Sequence, residues 1–247
     1  MKLAEIFNQL MYGELSQMGF GVLDNGDTNE KHYASLMAHI NLGLTALYKR
    51  FTLKEGRIVL ELQTDQAVYP LQSRFAVTGK GALPVRYIKD SVMFPFLEDI
   101  HKIERVITDR DYEMALNDSS NKYACATPSS SILRVPAIMV NGATDIPEEL
   151  KTATLTVVYR ANHPVIDINV GSFDPATKDI ELPYTHLQAL LLFVASRVNN
   201  PIGMTNEFHA GNSYAAKYEQ ECQLLESNGL EVDQDEQNSK AAVRGWV

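Results

Sequence analysis

Tyr33-Ala34-Ser35-Leu36-Met37-Ala38-His39-Ile40-Asn41-Leu42-Gly43-Leu44-Thr45-Ala46-Leu47-Tyr48-Lys49-Arg50-Phe51 decides the fold class, because the hydrophobic period of the chain changes where this stretch ends. Tyr33, Leu36, Met37, Ile40, Leu44, Leu47, Tyr48 and Phe51 recur at the 3.6-residue period, which predicts a long amphipathic helix. Thr28 or Asn29 is placed to cap it, with Glu30 in the first turn. Just beyond it, Arg57-Ile58-Val59-Leu60-Glu61-Leu62 is apolar and rich in β-branched residues, which predicts a strand. Working back toward the start, Leu3, Ile6, Phe7 and Leu10 form a second helical stripe. Met18-Gly19-Phe20-Gly21 and the turn residues Asp24-Asn25-Gly26-Asp27 end it.

Downstream the pattern stays short and extended. Residues 69–77, 103–107, 112–116, 131–135, 137–140 and 152–160 read as strands divided by Pro, Gly and Asx turns. Residues 88–100 read as an irregular loop or a short helix around Phe96-Leu97-Glu98-Asp99. Helical period returns near Pro183, with Leu187, Leu190, Leu191, Val194 and Val198 on one face. A last helix is expected over 206–227, with Tyr214, Tyr218, Cys222 and Leu225 in a stripe and Gly229 as terminator. Four amphipathic helices, two from each end, bury their stripes most economically against one another. The expected class is therefore α+β: a discontinuous four-helix bundle from both termini with an inserted antiparallel β sandwich or barrel-like module. Its parts are residues 1–51 with 184–229 as the helical domain, 52–183 as the β-rich insertion, and 230–247 as an acidic linker and C-terminal docking tail.

Composition narrows the function. The chain has 247 residues, 22 Lys+Arg against 31 Asp+Glu, and a net charge of −9. The charge divides as −1 over 1–50, −4 over 51–183 and −4 over 184–247, so no segment is a basic platform for nucleic acid. Two cysteines, Cys125 and Cys222, supply neither a disulfide framework nor a four-thiolate site and read as buried small hydrophobes. No apolar run is long enough to span a membrane, and Glu5 and Asn8 interrupt any secretory signal. The expectation is a product of the cytoplasm that does not bind membrane.

Motifs for chemistry are weak. The histidines, His32, His39, His101, His163, His186 and His209, lack metal-ligand spacing; His32 and His39 share a helix face without a third ligand. Ser213 in Gly211-Asn212-Ser213-Tyr214-Ala215 lacks the final glycine and the preceding strand of a nucleophile elbow. Gly19-Phe20-Gly21 and Gly79-Lys80-Gly81 miss the spacing of phosphate-binding loops, and Asp24 to Glu30 is only part of a calcium loop. The expectation is a protein without catalytic residues, cofactor or metal, working through its surfaces. Ala241-Ala242-Val243-Arg244-Gly245-Trp246-Val247 is an apolar peptide after an acidic linker and reads as an anchor for a groove.

Three phrases resemble one family. Ile40-Asn41-Leu42-Gly43-Leu44-Thr45-Ala46-Leu47-Tyr48-Lys49-Arg50-Phe51, Ala195-Ser196-Arg197-Val198-Asn199-Asn200-Pro201-Ile202-Gly203, and the stretch from Asn206-Glu207-Phe208 through Ala215-Ala216-Lys217-Tyr218-Glu219 are similar to the head-to-tail adaptors (neck, tail tubular protein A-like proteins) of short-tailed bacteriophages. The resemblance covers the helical segments, somewhat under half of the chain. It implies a virion structural protein, made in the host cytoplasm, that forms a twelvefold ring between the portal protein and the downstream tail tube or nozzle protein. DNA then passes through the lumen without specific binding. The tail, with Val243, Arg244, Trp246 and Val247, would meet the portal. Two other readings stand beside it: another non-catalytic tail or head-completion component, and an enzyme with a site in the β module.

Overall fold

The stripes at both termini become helices with buried faces. A computed structural model describes residues 1–16, 33–79, 85–141, 146–167, 174–199 and 206–229. Its helices are α1 (Leu3–Tyr12), α2 (Tyr33–Arg50), the single turn α3 (Ala137–Val140), α4 (Leu187–Val198) and α5 (Asn206–Ser227). The protein is mixed α+β and divides into two compact units, residues 1–53 with 163–247, and residues 54–162. None of its described helices is long and apolar enough to cross a membrane.

In the helical unit the predicted apolar residues form the core. Leu3, Ile6, Phe7 and Leu10 of α1 are buried, as are Leu36, Met37, Ile40, Leu44, Leu47 and Tyr48 of α2 and Phe51 just beyond it. Each such side chain contributes about 1.5–3 kcal/mol of burial. α4 is the hub, packing against α1, α2 and α5. It is apolar on most of its circumference for that reason, with Leu187, Ala189, Leu190, Leu191, Leu192, Val194 and Ala195 all buried. Gly43 lets α2 approach α4 closely: a Cβ there would lie 2.7 Å from Leu190 Cδ1 and 3.0 Å from Phe193 Cδ1. On the other side of α4, Phe193 meets Tyr218 of α5 edge to face at 5.3 Å. α5 ends as expected, with Gly229 at φ 63°.

Residues 163–167 and 174–183, assigned from sequence to the β insertion, group instead with the helices. Hydrogen bonds across long sequence separations hold them there. Leu3 N–H donates to the Lys178 carbonyl at 3.0 Å, and Ile180 N–H to that of Met1 at 2.9 Å. The Asn41 amide exchanges two bonds with the Ile166 backbone, at 3.0 and 3.1 Å. The Tyr48 hydroxyl donates to the Glu181 carbonyl. His163 stands edge-on to Tyr48 at 5.4 Å, and its Nε2 accepts the Glu181 N–H at 3.2 Å.

The β unit holds β1 (Glu55–Glu61), β2 (Val68–Pro70), β3 (Ile88–Lys89), β4 (Ile100–Thr108), β5 (Glu113–Met114), β6 (Ala126–Ser129), β7 (Ile132–Arg134) and β8 (Thr154–Ala161). They form two antiparallel sheets, ordered β3-β1-β8-β4-β5 and β2-β7-β6. β1 and β8 pair with Ile58 opposite Val157 and Leu60 opposite Leu155, so the alternate residues of both strands point one way. These residues share a single core with Tyr69 and Leu133 of the smaller sheet. The barrel alternative is corrected: the larger sheet ends in the two-residue strands β3 and β5, which are too short to carry pairing round to the smaller sheet.

One local expectation also changes, and one open alternative is decided in favour of the irregular loop. Residues 137–140 are α3, a helical turn following Pro136, because Met139 N–H and Asn141 N–H bond back to Pro136 and Ala137. A four-residue apolar run does not by itself distinguish the two states. Residues 90–99 contain no helix; Glu98 sits at φ 57°, outside the helical region.

Candidate interaction surface

The β unit carries an irregular loop between β3 and β4, and its polar residues fold it. The Asp90 carboxylate accepts Thr78 N–H at 2.9 Å, Phe96 N–H at 3.0 Å and the Thr78 hydroxyl. Burial alone would raise this carboxyl, but those bonds outweigh it and hold the pKa below the ordinary value. Ser91 closes the tip, its hydroxyl accepting Phe94 N–H at 3.2 Å. Glu98 closes the other end by accepting Ser73 N–H. Phe96 turns inward and is buried against Tyr159, ring centroids 6.3 Å apart.

With both ends fixed, the tip points its apolar residues outward. Val92, Met93, Phe94 and Leu97 are 89, 82, 79 and 61% exposed. Beside them lies a groove of about 650 Å³ lined by this loop and by the start of β1. Gly56 and Tyr159 form its inner wall. They are opposite one another across β1 and β8, and the Tyr159 ring lies where a Gly56 side chain would project, its Cζ 2.3 Å from an added Cβ. The Tyr159 hydroxyl donates to Asp99 at 3.0 Å. Burial, then the Asp99 carboxylate, pushes that phenol's pKa up, so it stays a neutral donor. Exposed apolar residues on a fixed loop beside a groove suit protein–protein contact.

The residues singled out for chemistry do not converge. Ser213 is exposed on α5. Cys125 is buried at 3.7 Å from the Met114 sulfur, its thiol pushed up to about 12 by burial. Cys222 is buried in the helical core, and burial raises it too. His186 is buried edge-on to Phe51 at 4.8 Å, and His163 serves the Glu181 backbone. His39 lies on α2, and His101 on β4. Among the described residues no group of three His, Cys, Asp or Glu is set to hold a metal. His32, Gly19-Phe20-Gly21, Asp24 to Glu30 and the tail residues Val243, Arg244, Trp246 and Val247 lie outside the described residues.

The sequence reads 88–100 as an irregular loop or a short helix and assigns it no surface role. The signal was there: Val92, Met93, Phe94 and Leu97 sit among turn residues without strand or helix periodicity, so no partner face within the chain was assigned to them. No protein-family model matches this chain, and no curated protein matches it.

Proposed function

We propose that this chain is a non-catalytic structural adaptor of a bacteriophage virion, a ring subunit joining the portal to the tail. The observation that carries this reading is that the three family-like phrases, scattered over the sequence, meet in one unit. Gly43 in the first phrase abuts Leu190 and Phe193 of α4, the helix that ends in the second. Arg50, also in the first, forks onto Glu219 in the third at 2.6 and 2.8 Å. The four longer helices then act as a bundle forming the ring body, and the β unit meets a neighbouring subunit or the next tail component. Ring closure joins two different patches on each copy. The helical unit has 9 Lys+Arg and 17 Asp+Glu, and the β unit 13 and 14, so the negative excess lies on the helical side. Such a wall lets DNA pass without gripping its phosphates.

The C-terminal segment, with Val243, Arg244, Trp246 and Val247, docks on the portal. Sedimentation of the chain with and without portal rings tests this: it is monomeric alone and co-sediments with the portal. Removing 230–247 abolishes co-sedimentation while the far-ultraviolet circular dichroism is retained. Unchanged association after that truncation discards the tail's role, and no association of the full chain discards the adaptor. Hydrolase or nuclease activity lost in His163 or His186 variants would favour an enzyme instead.

A further inference from the structure

We infer that residues 174–186 form a strap over the helical unit, which the neutral imidazoles of His163 and His186 hold shut and which acid releases. The inference concerns the helical unit alone and stands apart from the adaptor reading. Except for a bridge between Lys2 and Asp179, residues 174–183 carry no helix or strand. Single bonds tie the segment down instead. Ala4 N–H donates to the Pro175 carbonyl at 3.2 Å, Leu3 N–H to that of Lys178 at 3.0 Å, and the Tyr48 hydroxyl to that of Glu181. Ile180 and Leu182 are buried in the helical core, and the strap ends in the single turn Tyr184–His186 ahead of α4. A segment held by a few bonds and two apolar side chains opens locally before the helices around it do.

Both histidines hold the strap only while neutral. His163 is 9% exposed; its Nε2 faces the Glu181 N–H at 3.2 Å, and its Nδ1 lies 2.6 Å from the Pro164 carbonyl. Those neighbours fix the roles: Nδ1 carries the proton and donates, and Nε2 accepts. A second proton on Nε2 points at the Glu181 N–H, so protonation breaks that bond. His186 is 1% exposed; its Nδ1 meets the Thr185 hydroxyl at 3.0 Å, and its Nε2 has no partner. An imidazolium there is a core charge with one donor unmet, and it stands at the start of α4, where the helix dipole is also positive. Moving the ring into water opens the turn. Facing His163 are the Tyr48 phenol of α2, edge-on at 5.4 Å, and the strap's Glu181. On the side of His186, Phe51 stands edge-on, and the Arg50 guanidinium lies 6.0 Å from the Phe51 ring, held by Glu219 and Glu226 of α5. Tyr184, in the turn itself, is bonded to Glu5 of α1. None of these gives His186 an acceptor, and burial lowers its pKa.

Amide hydrogen exchange of the full-length chain tests this at about pH 7.5 and about pH 5.5, with rates corrected for the intrinsic pH dependence of exchange. Peptides covering 174–186 are expected to lose about tenfold in protection at the lower pH, while those from the middle of α2 and of α5 keep theirs. Magnetic resonance shifts of the His163 ring nitrogens at the higher pH should place the proton on Nδ1 and leave Nε2 bare, a reading that needs no variant. In His163→Gln/His186→Phe, which has no ring to titrate at either place, protection of 174–186 no longer depends on pH, whatever its absolute level. Equal protection of 174–186 at both pH values overturns the inference, as does a loss shared equally by α2 and α5. A proton on His163 Nε2 at the higher pH, or a pH response that survives in the double variant, overturns it too. Portal co-sedimentation is a separate measurement, so failure here leaves the adaptor reading standing.

Discussion

Gly56 shows how one missing side chain shapes the candidate surface. It stands opposite Tyr159, whose ring fills the space a side chain at Gly56 would take, and that ring forms part of the groove wall and bonds to Asp99. Gly56→Val forces the ring outward, and the expected loss is about 1–3 kcal/mol, read from the urea unfolding midpoint. Phe96 loses its partner in the same variant, so the loop also becomes more susceptible to proteolysis. Two histidines, one buried and one half-buried, make a second single-residue prediction. His186 has an unpartnered buried Nε2, and burial lowers its pKa below 6.5; burial, then Arg197, does the same for His39. The folded state takes up a proton at either ring less readily than the unfolded chain does, so the unfolded state binds more protons as the pH falls below that value. Stability is therefore complete above about pH 6.5 and falls as the pH drops through it. The urea midpoint should be lower at about pH 5.5 than at about pH 7.5, and His186→Phe should flatten the difference.

At the level of elements, α5 tests how far a stripe specifies a helix. Its apolar stripe was legible, and Cys222 and Leu225 are buried as that period requires. Its tie to α2 was not, because Arg50 reaches Glu219 and Glu226 across more than a hundred and sixty residues of sequence. Arg50→Ala should loosen α5 by about 1 kcal/mol, seen as faster amide exchange along that helix. Arg50→Lys should recover only part of this, since an ammonium cannot fork onto two carboxylates. α3 and the 90–99 loop mark the opposite limit. Four to ten residues contain too few periods for hydrophobic pattern to select a state, and the local bonds of Pro136, Asp90 and Ser91 make the selection.

Across the whole molecule, the β unit enters and leaves at neighbouring points: Ala161 N–H donates to the Lys54 carbonyl at 2.9 Å. A unit with adjacent ends and its own core is able to fold separately. Residues 54–162 expressed alone should unfold in one cooperative urea transition with the circular dichroism of a β protein. A gradual, non-cooperative loss of signal would show that the helical unit is needed to complete it. The sequence by itself determined the mixed class, the helices at both ends, the strand-rich middle and the end of α5, because local period and termination are properties of consecutive residues. Only the tertiary structure decided that 163–167 and 174–183 belong with the helices, that the strands form two sheets around a shared core and no closed barrel, and that Val92, Met93, Phe94 and Leu97 point outward. Those outcomes depend on hydrogen bonds and packing between segments far apart in the chain, and the hydrophobic pattern of one segment contains no information about which distant segment covers it.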